Sequence, residues 1–121
     1  MQNYEEQIKS YIKMEKEVLN SLSIESINKV MNILEDARLK GKRIFICGNG
    51  GSASTASHFE CDFNKGISYE QEIKYDFECL NDNVPMMMAI ANDIGYEDIF
   101  VVSLRNKLKC GDVVIGISKG N

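Results

Sequence analysis

Apolar side chains recur at Ile8, Tyr11, Ile12, Val18, Leu19 and Leu22, with charged and polar residues between them. That spacing marks one face of a helix over about residues 3–22. Ser23 stands where an N-cap is wanted, and Glu25 falls in the first turn after it. A second helix follows, with Ile24, Ile27, Val30, Met31 and Leu34 along one side. Lys40-Gly41 ends it, glycine taking the left-handed C-cap. These elements form an N-terminal helical pair over about residues 3–40.

The period then changes. Arg43-Ile44-Phe45-Ile46-Cys47 is a short apolar run closed by glycine, the pattern of a buried parallel strand. From Ser52 to about Asn64 no breaker occurs, which predicts a helix. A second strand is expected near Tyr75–Leu80, with Asn81-Asp82-Asn83 as a turn and Pro85 in the first turn of the next helix. That helix runs through Met86-Met87-Met88-Ala89-Ile90, whose methionines read as core filling. Gly95 interrupts it, and a further helix is predicted over Tyr96–Leu108. After a turn at Cys110-Gly111-Asp112, Val113-Val114-Ile115-Gly116-Ile117 reads as a third buried strand. Strand, helix, strand, helix, strand implies an α/β fold, a parallel sheet with helices on both faces and right-handed crossovers. The chain stops at Asn121, directly after a strand, so the expectation is a domain truncated at its C-terminus: residues 1–121 as a single domain whose α/β part, 42–121, is incomplete.

The 121 residues are 44% hydrophobic and 26% charged, values of a globular chain. The net charge of −4 is a poor match for a nucleic-acid backbone, so no nucleic-acid partner is expected. No apolar stretch is long enough to span a bilayer, and the N-terminus is polar and acidic, so no membrane partner is expected either. Cys47, Cys61, Cys79 and Cys110 fall at irregular spacings without a C-x-x-C pair, which suits reduced thiols in a cytoplasmic protein.

Four segments carry candidate chemistry. In Cys47-Gly48-Asn49-Gly50-Gly51-Ser52-Ala53 a buried strand delivers the chain to a glycine-rich turn, and a helix starts at once. Unpaired N–H groups and the positive end of the helix dipole favour an anion there. Asn49 and Ser52 add side-chain donors. The G-K-[ST] of a Walker loop is absent, and Ala53 breaks the dinucleotide-binding G-x-G-x-x-G. In His58-Phe59-Glu60-Cys61-Asp62, His58 is the one histidine of the chain and Asp62 shares its helix face. An imidazole and a carboxylate so spaced can share a divalent metal, act as an acid/base pair, or form a plain surface pair. Asn92 and Asp93 sit at a helix break, where a carboxylate can accept from sugar hydroxyls or simply cap the helix end. Ile117-Ser118-Lys119-Gly120-Asn121 is a second phosphate-loop candidate.

Taken in order, these segments resemble the phosphoheptose isomerase family of sugar-isomerase (SIS) domains. The resemblance rests on Cys47–Ala53, His58-Phe59, Asn92-Asp93-Ile94-Gly95-Tyr96 with Asp98-Ile99-Phe100, Gly111-Asp112-Val113 and Gly116-Ile117-Ser118, and covers nearly the whole chain. It implies a three-layer αβα SIS domain with a flavodoxin-like parallel sheet, in homotetramers whose N-terminal helices help build the subunit interface. It implies a sugar-phosphate substrate and conversion of sedoheptulose 7-phosphate to glycero-manno-heptose 7-phosphate through an enediol, on the route to activated heptose for surface polysaccharides. By position, Asn49, Gly50, Gly51, Ser52, Asn92 and Asp93 would contact substrate and Ser118 its phosphate. His58 and Asp62 would be ligands of a zinc ion, one per subunit, and Asp62 would also be the catalytic base.

The chain departs from the family pattern in three places. Asp62 stands where glutamate is usual, one methylene shorter, and a displacement of about 1 Å can cost on the order of 100-fold in rate. Ser118-Lys119-Gly120-Asn121 is one residue short of the usual phosphate loop. The C-terminal catalytic histidine and the remaining zinc ligands have no counterpart. The alternative function is therefore a non-catalytic SIS module that binds a sugar phosphate or a protein partner; a more distant one is another keto-sugar phosphate isomerase of capsule synthesis.

Overall fold

A computed structural model describes residues 1–120. The chain forms two compact units, Met1–Asn32 and the remainder from Ile33 onward. In the first, α1 (Glu5–Ser21) buries none of its residues, and Ile8, Tyr11, Val18 and Leu19 are all exposed. Ser23 begins α2 (Ile24–Leu39) as its sequence position suggests, its hydroxyl accepting from the Ser26 amide at 3.1 Å. The far end of α2 belongs to the second unit. There Leu34 and Ala37 are buried, and Gly41 takes φ 66° just past the helix.

The second unit is built on β1 (Ile44–Gly48), β2 (Phe77–Cys79) and β3 (Val113–Ile117), in the order β2-β1-β3. Both pairings are parallel, with Ile44 opposite Phe77 on one side and Val113 on the other. All five residues of β1 are buried, because its two faces pack against different helices. Ile44 and Ile46 point into a core with Leu34, Ala37, Ala56, Phe77 and Cys79, roofed by α2 and α3 (Gly51–Cys61). Phe45 and Cys47 point the other way, toward Leu80, Phe100 and Leu104, under α5 (Ile99–Leu104). The result is helix, sheet, helix: the three-layer α/β arrangement.

The first crossover leads from β1 to one neighbour and the next leads back past β1 to the other. Right-handed connections then put α3 and α5 on opposite faces. Between these crossovers lies α4 (Val84–Asp93), capped as the turn chemistry predicts: Asn83 accepts from the Met86 amide at 3.1 Å and Pro85 lies in the first turn.

Several expectations need correction. The helix from Ser52 does not run regularly to Asn64: α3 ends at Cys61 and the chain widens into a π-helical turn over Asp62–Ile67. Tertiary bonds hold that wider turn. Asn64 brackets the Phe77 backbone, donating to its carbonyl at 2.9 Å and accepting from its amide at 2.8 Å, while the Phe63 ring stacks on Phe77 at 4.3 Å. The helix expected over Tyr96–Leu108 is a 3₁₀ turn, Tyr96–Asp98, followed by the short α5, because Arg105 turns extended and Asn106 takes φ 68°. β3 is not fully buried. It is an edge strand whose Val113, Ile115 and Ile117 pack on the first core while Val114 is exposed. Met88 is exposed rather than core, Met86 and Met87 half-buried. All four cysteines are free, Cys47 and Cys79 buried, Cys61 and Cys110 exposed. Among the described residues no helix is long and apolar enough to cross a membrane.

Candidate functional site

The strand register decides where the loops meet. Gly48, last in β1, lies opposite Ile117, last in β3. The loops that follow therefore leave the same edge of the sheet side by side. Because the strand order reverses at β1, they also diverge, opening a crevice at the topological switch point. Asn49, Gly50, Gly51, Ser52 and Thr55 line one side of a cleft of about 650 Å³, and Ile117, Ser118, Lys119 and Gly120 the other. The two phosphate-loop candidates thus face each other. Asn121, the last residue of the second candidate, lies outside the described residues.

The loop after β1 is shaped by contacts as well as by glycine. A Cβ on Gly48 would sit 2.7 Å from the Ser52 backbone, and Gly50 takes φ 57°. Asn81, across the sheet, clamps Gly48 with both ends of its amide, donating to the Gly48 carbonyl at 2.7 Å and accepting from its N–H at 3.0 Å. The helix-start amides are not all free, as the sequence reading assumes. Ser52 N–H donates to the Asn49 carbonyl and Ala53 N–H to the Gly50 carbonyl, both at 3.0 Å. The Gly50 and Gly51 amides and the Ser52 hydroxyl have no partner among the described residues and remain for a ligand oxygen.

Thr55 also borders a second, more open cavity of about 430 Å³ with Ser54, His58, Phe59 and Asp62. Gly51, Thr55, His58 and Asp62 share one face of α3 and its continuation. At about 1.5 Å per residue, His58 stands ~10 Å along the axis from Gly51. His58 Nδ1 lies 2.9 Å from Asp62 Oδ2, and both side chains are exposed. These are two donors of suitable type for zinc, which takes three or four protein ligands. Among the described residues no three His, Cys, Asp or Glu side chains are arranged to hold a metal ion. The pair alone does not fit a zinc ion.

Asn92 and Asp93 line neither cavity. They are exposed at the end of α4, where Asn92 Nδ2 donates to Asp93 Oδ1 at 2.9 Å. What does reach the glycine loop from this segment is Tyr96, whose hydroxyl donates to Asn49 Oδ1 at 2.6 Å.

The opposite face of α3 carries Ser57 and Glu60. Ser57 donates to Asp82 Oδ1 at 2.8 Å. Burial and the neighbouring Asp82 carboxylate push Glu60 up to about 7. Glu78 is held ionised, its burial offset by Lys107 at 3.0 Å and Arg43 at 3.2 Å.

Residues 3–120 match the SIS domain family. The chain belongs to that family. A phosphoheptose isomerase of Clostridium acetobutylicum is 34% identical over 120 residues, covering 98% of this chain and 61% of its own. One from Geotalea daltonii is 34% identical over 116 residues, covering 93% and 60%. A solved phosphoheptose isomerase from Neisseria gonorrhoeae superposes with a TM-score of 0.80 at 26% identity, over 96% of this chain and 61% of that one. One from Francisella tularensis has a TM-score of 0.83 at 22% identity and covers 97% and 62%, a likeness of fold. The chain therefore spans about three fifths of the length of these relatives.

Proposed function

We propose that this SIS chain carries the substrate-binding cleft and the proton-transferring carboxylate of a phosphosugar isomerase, acting on sedoheptulose 7-phosphate to give glycero-manno-heptose 7-phosphate. One observation carries the reading: a single helix presents an anion-receptive glycine loop at its start and a His–Asp pair further along the same face. The names of the relatives agree with it. Both units, from the N-terminal helices to Gly120, act as one SIS domain in this proposal.

The phosphoryl group would take the cleft, accepting from the Gly50 and Gly51 amides and the Ser52 and Ser118 hydroxyls, with the Lys119 ammonium nearby. Asn49 would donate to a ligand oxygen. Asn92 and Asp93, outside the cleft, would meet the sugar only from its rim. The reacting end would lie toward Asp62. An Asp62 oxygen removes a proton from C1 of the ketose. The C–H electron pair becomes the C1–C2 double bond as the C2 carbonyl oxygen takes up a proton from a water molecule, giving an enediol and hydroxide. That hydroxide takes the O1 proton, re-forming water and giving the C1 aldehyde, while Asp62 returns its proton to C2. His58, 2.9 Å away, orients the carboxylate. His58 and Asp62 are two donors of the type a zinc ion takes, short of a complete site by themselves, and no step is routed through a metal. The proposed setting is a cytoplasmic homotetramer, and the exposed Ile8, Tyr11, Val18 and Leu19 of α1 suit a subunit contact.

The test is solvent-proton exchange. The protein from the complete gene is incubated with sedoheptulose 7-phosphate in heavy water, with and without zinc, and followed by proton NMR. Deuterium entering the sugar, with a new aldose signal that Asp62→Asn abolishes, is the expected result. Binding of the sugar without exchange would overturn the isomerase reading and leave a non-catalytic sugar-phosphate module.

A further inference from the structure

Tyr96 opens the 3₁₀ turn after Gly95, and its hydroxyl meets Asn49 across 47 residues of sequence. The bond is short for a neutral pair, 2.6 Å, and joins the helix break after α4 to the glycine loop after β1. Asn49 lines the cleft, and its backbone carbonyl is already used by the Ser52 amide. Its side chain has two ends of opposite character, an acceptor oxygen and a donor NH₂. The tyrosine hydroxyl occupies the oxygen. The NH₂ has no partner among the described residues.

We propose that Tyr96 is a positioning residue: it holds the Asn49 amide with its oxygen turned away and its two N–H donors available to a phosphoryl or hydroxyl oxygen in the cleft. The inference rests on the sugar-phosphate reading and adds a residue to it. An exposed asparagine side chain without a fixed partner samples several rotamers. The bond to the Tyr96 hydroxyl holds the Asn49 side chain at the cleft wall before the ligand arrives, so less ordering remains for binding to supply. Tyr96 touches no reacting atom in this account. Its effect passes entirely through Asn49.

That dependence is the test. Dissociation constants for sedoheptulose 7-phosphate are measured by calorimetry on the protein from the complete gene, as wild type, Tyr96→Phe, Asn49→Ala and the double variant. Loss of one neutral hydrogen bond predicts about three- to ten-fold weaker binding in Tyr96→Phe. In the Asn49→Ala background the same change should alter affinity by less than about two-fold, the non-additivity of a pair acting as one unit. Unaltered binding by Tyr96→Phe overturns the proposal. So does an equal loss in both backgrounds, which would make Tyr96 a structural support of the loop. A wild-type protein that does not bind the sugar phosphate overturns the functional reading itself and Tyr96's role with it, an outcome distinct from the other two.

Discussion

Gly48 and Gly50 stand two residues apart in one loop and are glycine for different reasons. Gly50 needs its hydrogen because φ is 57°, while the space around it is open. Gly48 has no such dihedral. A Cβ there would lie 2.7 Å from the carbonyl carbon, oxygen and Cβ of Ser52. Two of those atoms are backbone and cannot swing aside, so the first turn of α3 must move. Gly48→Ala should cost about 1–3 kcal/mol in urea denaturation, the range for forcing atoms into a packed site. It should also weaken sugar-phosphate binding at least ten-fold, because the displaced turn carries the Gly51 amide and the Ser52 hydroxyl. Gly50→Ala should cost a comparable amount, about 1–3 kcal/mol, because φ 57° with ψ −122° is a backbone conformation that side chains with a Cβ rarely adopt. A Gly48→Ala protein with wild-type stability and affinity would refute the contact argument.

At the scale of elements, what repeats along the chain was legible and what depends on distant partners was not. β1 reads correctly because Ile44 to Cys47 are apolar on both faces, and α4 because Asn83 and Pro85 are local start signals. The glycine loop was legible as a candidate site since it follows a buried strand directly, and it does line a cleft. The clamp of Asn81 on Gly48, 33 residues away, leaves no periodic trace, and its sequence context suggests only a turn. The same holds for Tyr96 on Asn49. The π turn after Cys61 escaped for a related reason: Asp62–Ile67 contains only ordinary helix-tolerant residues and one glycine, and the bonds that widen it come from β2. Those bonds are testable. Asn64→Ala removes both and leaves the Phe77 amide and carbonyl short of partners, a cost of about 1–3 kcal/mol. Amide hydrogen exchange across residues 62–68 should quicken while β1 stays protected. Unchanged protection of that segment would mean that the aromatic stack of Phe63 on Phe77 holds the turn by itself.

Across the molecule, the carboxylates with shifted proton affinities pull the pH dependence of stability in two directions. Glu60 is raised to about 7, so its contribution is complete below its ordinary 4.5 and is lost as pH climbs through 7. Glu35 is the reverse. It accepts from Arg38, whose guanidinium also donates to the Ile73 carbonyl at 2.7 Å, and from the Tyr75 hydroxyl at 2.9 Å. The Arg38 bond, then the Tyr75 bond, hold the carboxyl at about 2 against an ordinary 4.5. A depressed carboxylate binds fewer protons folded than unfolded. Its stabilisation is therefore present above pH 4.5 and disappears as pH falls from there toward 2. Glu78 and Asp112 are lowered as well and steepen the same acid limb. Glu35→Gln keeps the shape of the side chain but not its charge. The variant should be less stable than wild type at pH 6, with the gap narrowing steadily between pH 4.5 and 2 as the wild-type carboxylate is neutralised. Denaturation midpoints at pH 6, 4 and 3 measure it. A gap that stays constant over that range would mean that the Glu35, Arg38 and Tyr75 contact stabilises by packing, with the charge of Glu35 irrelevant to it.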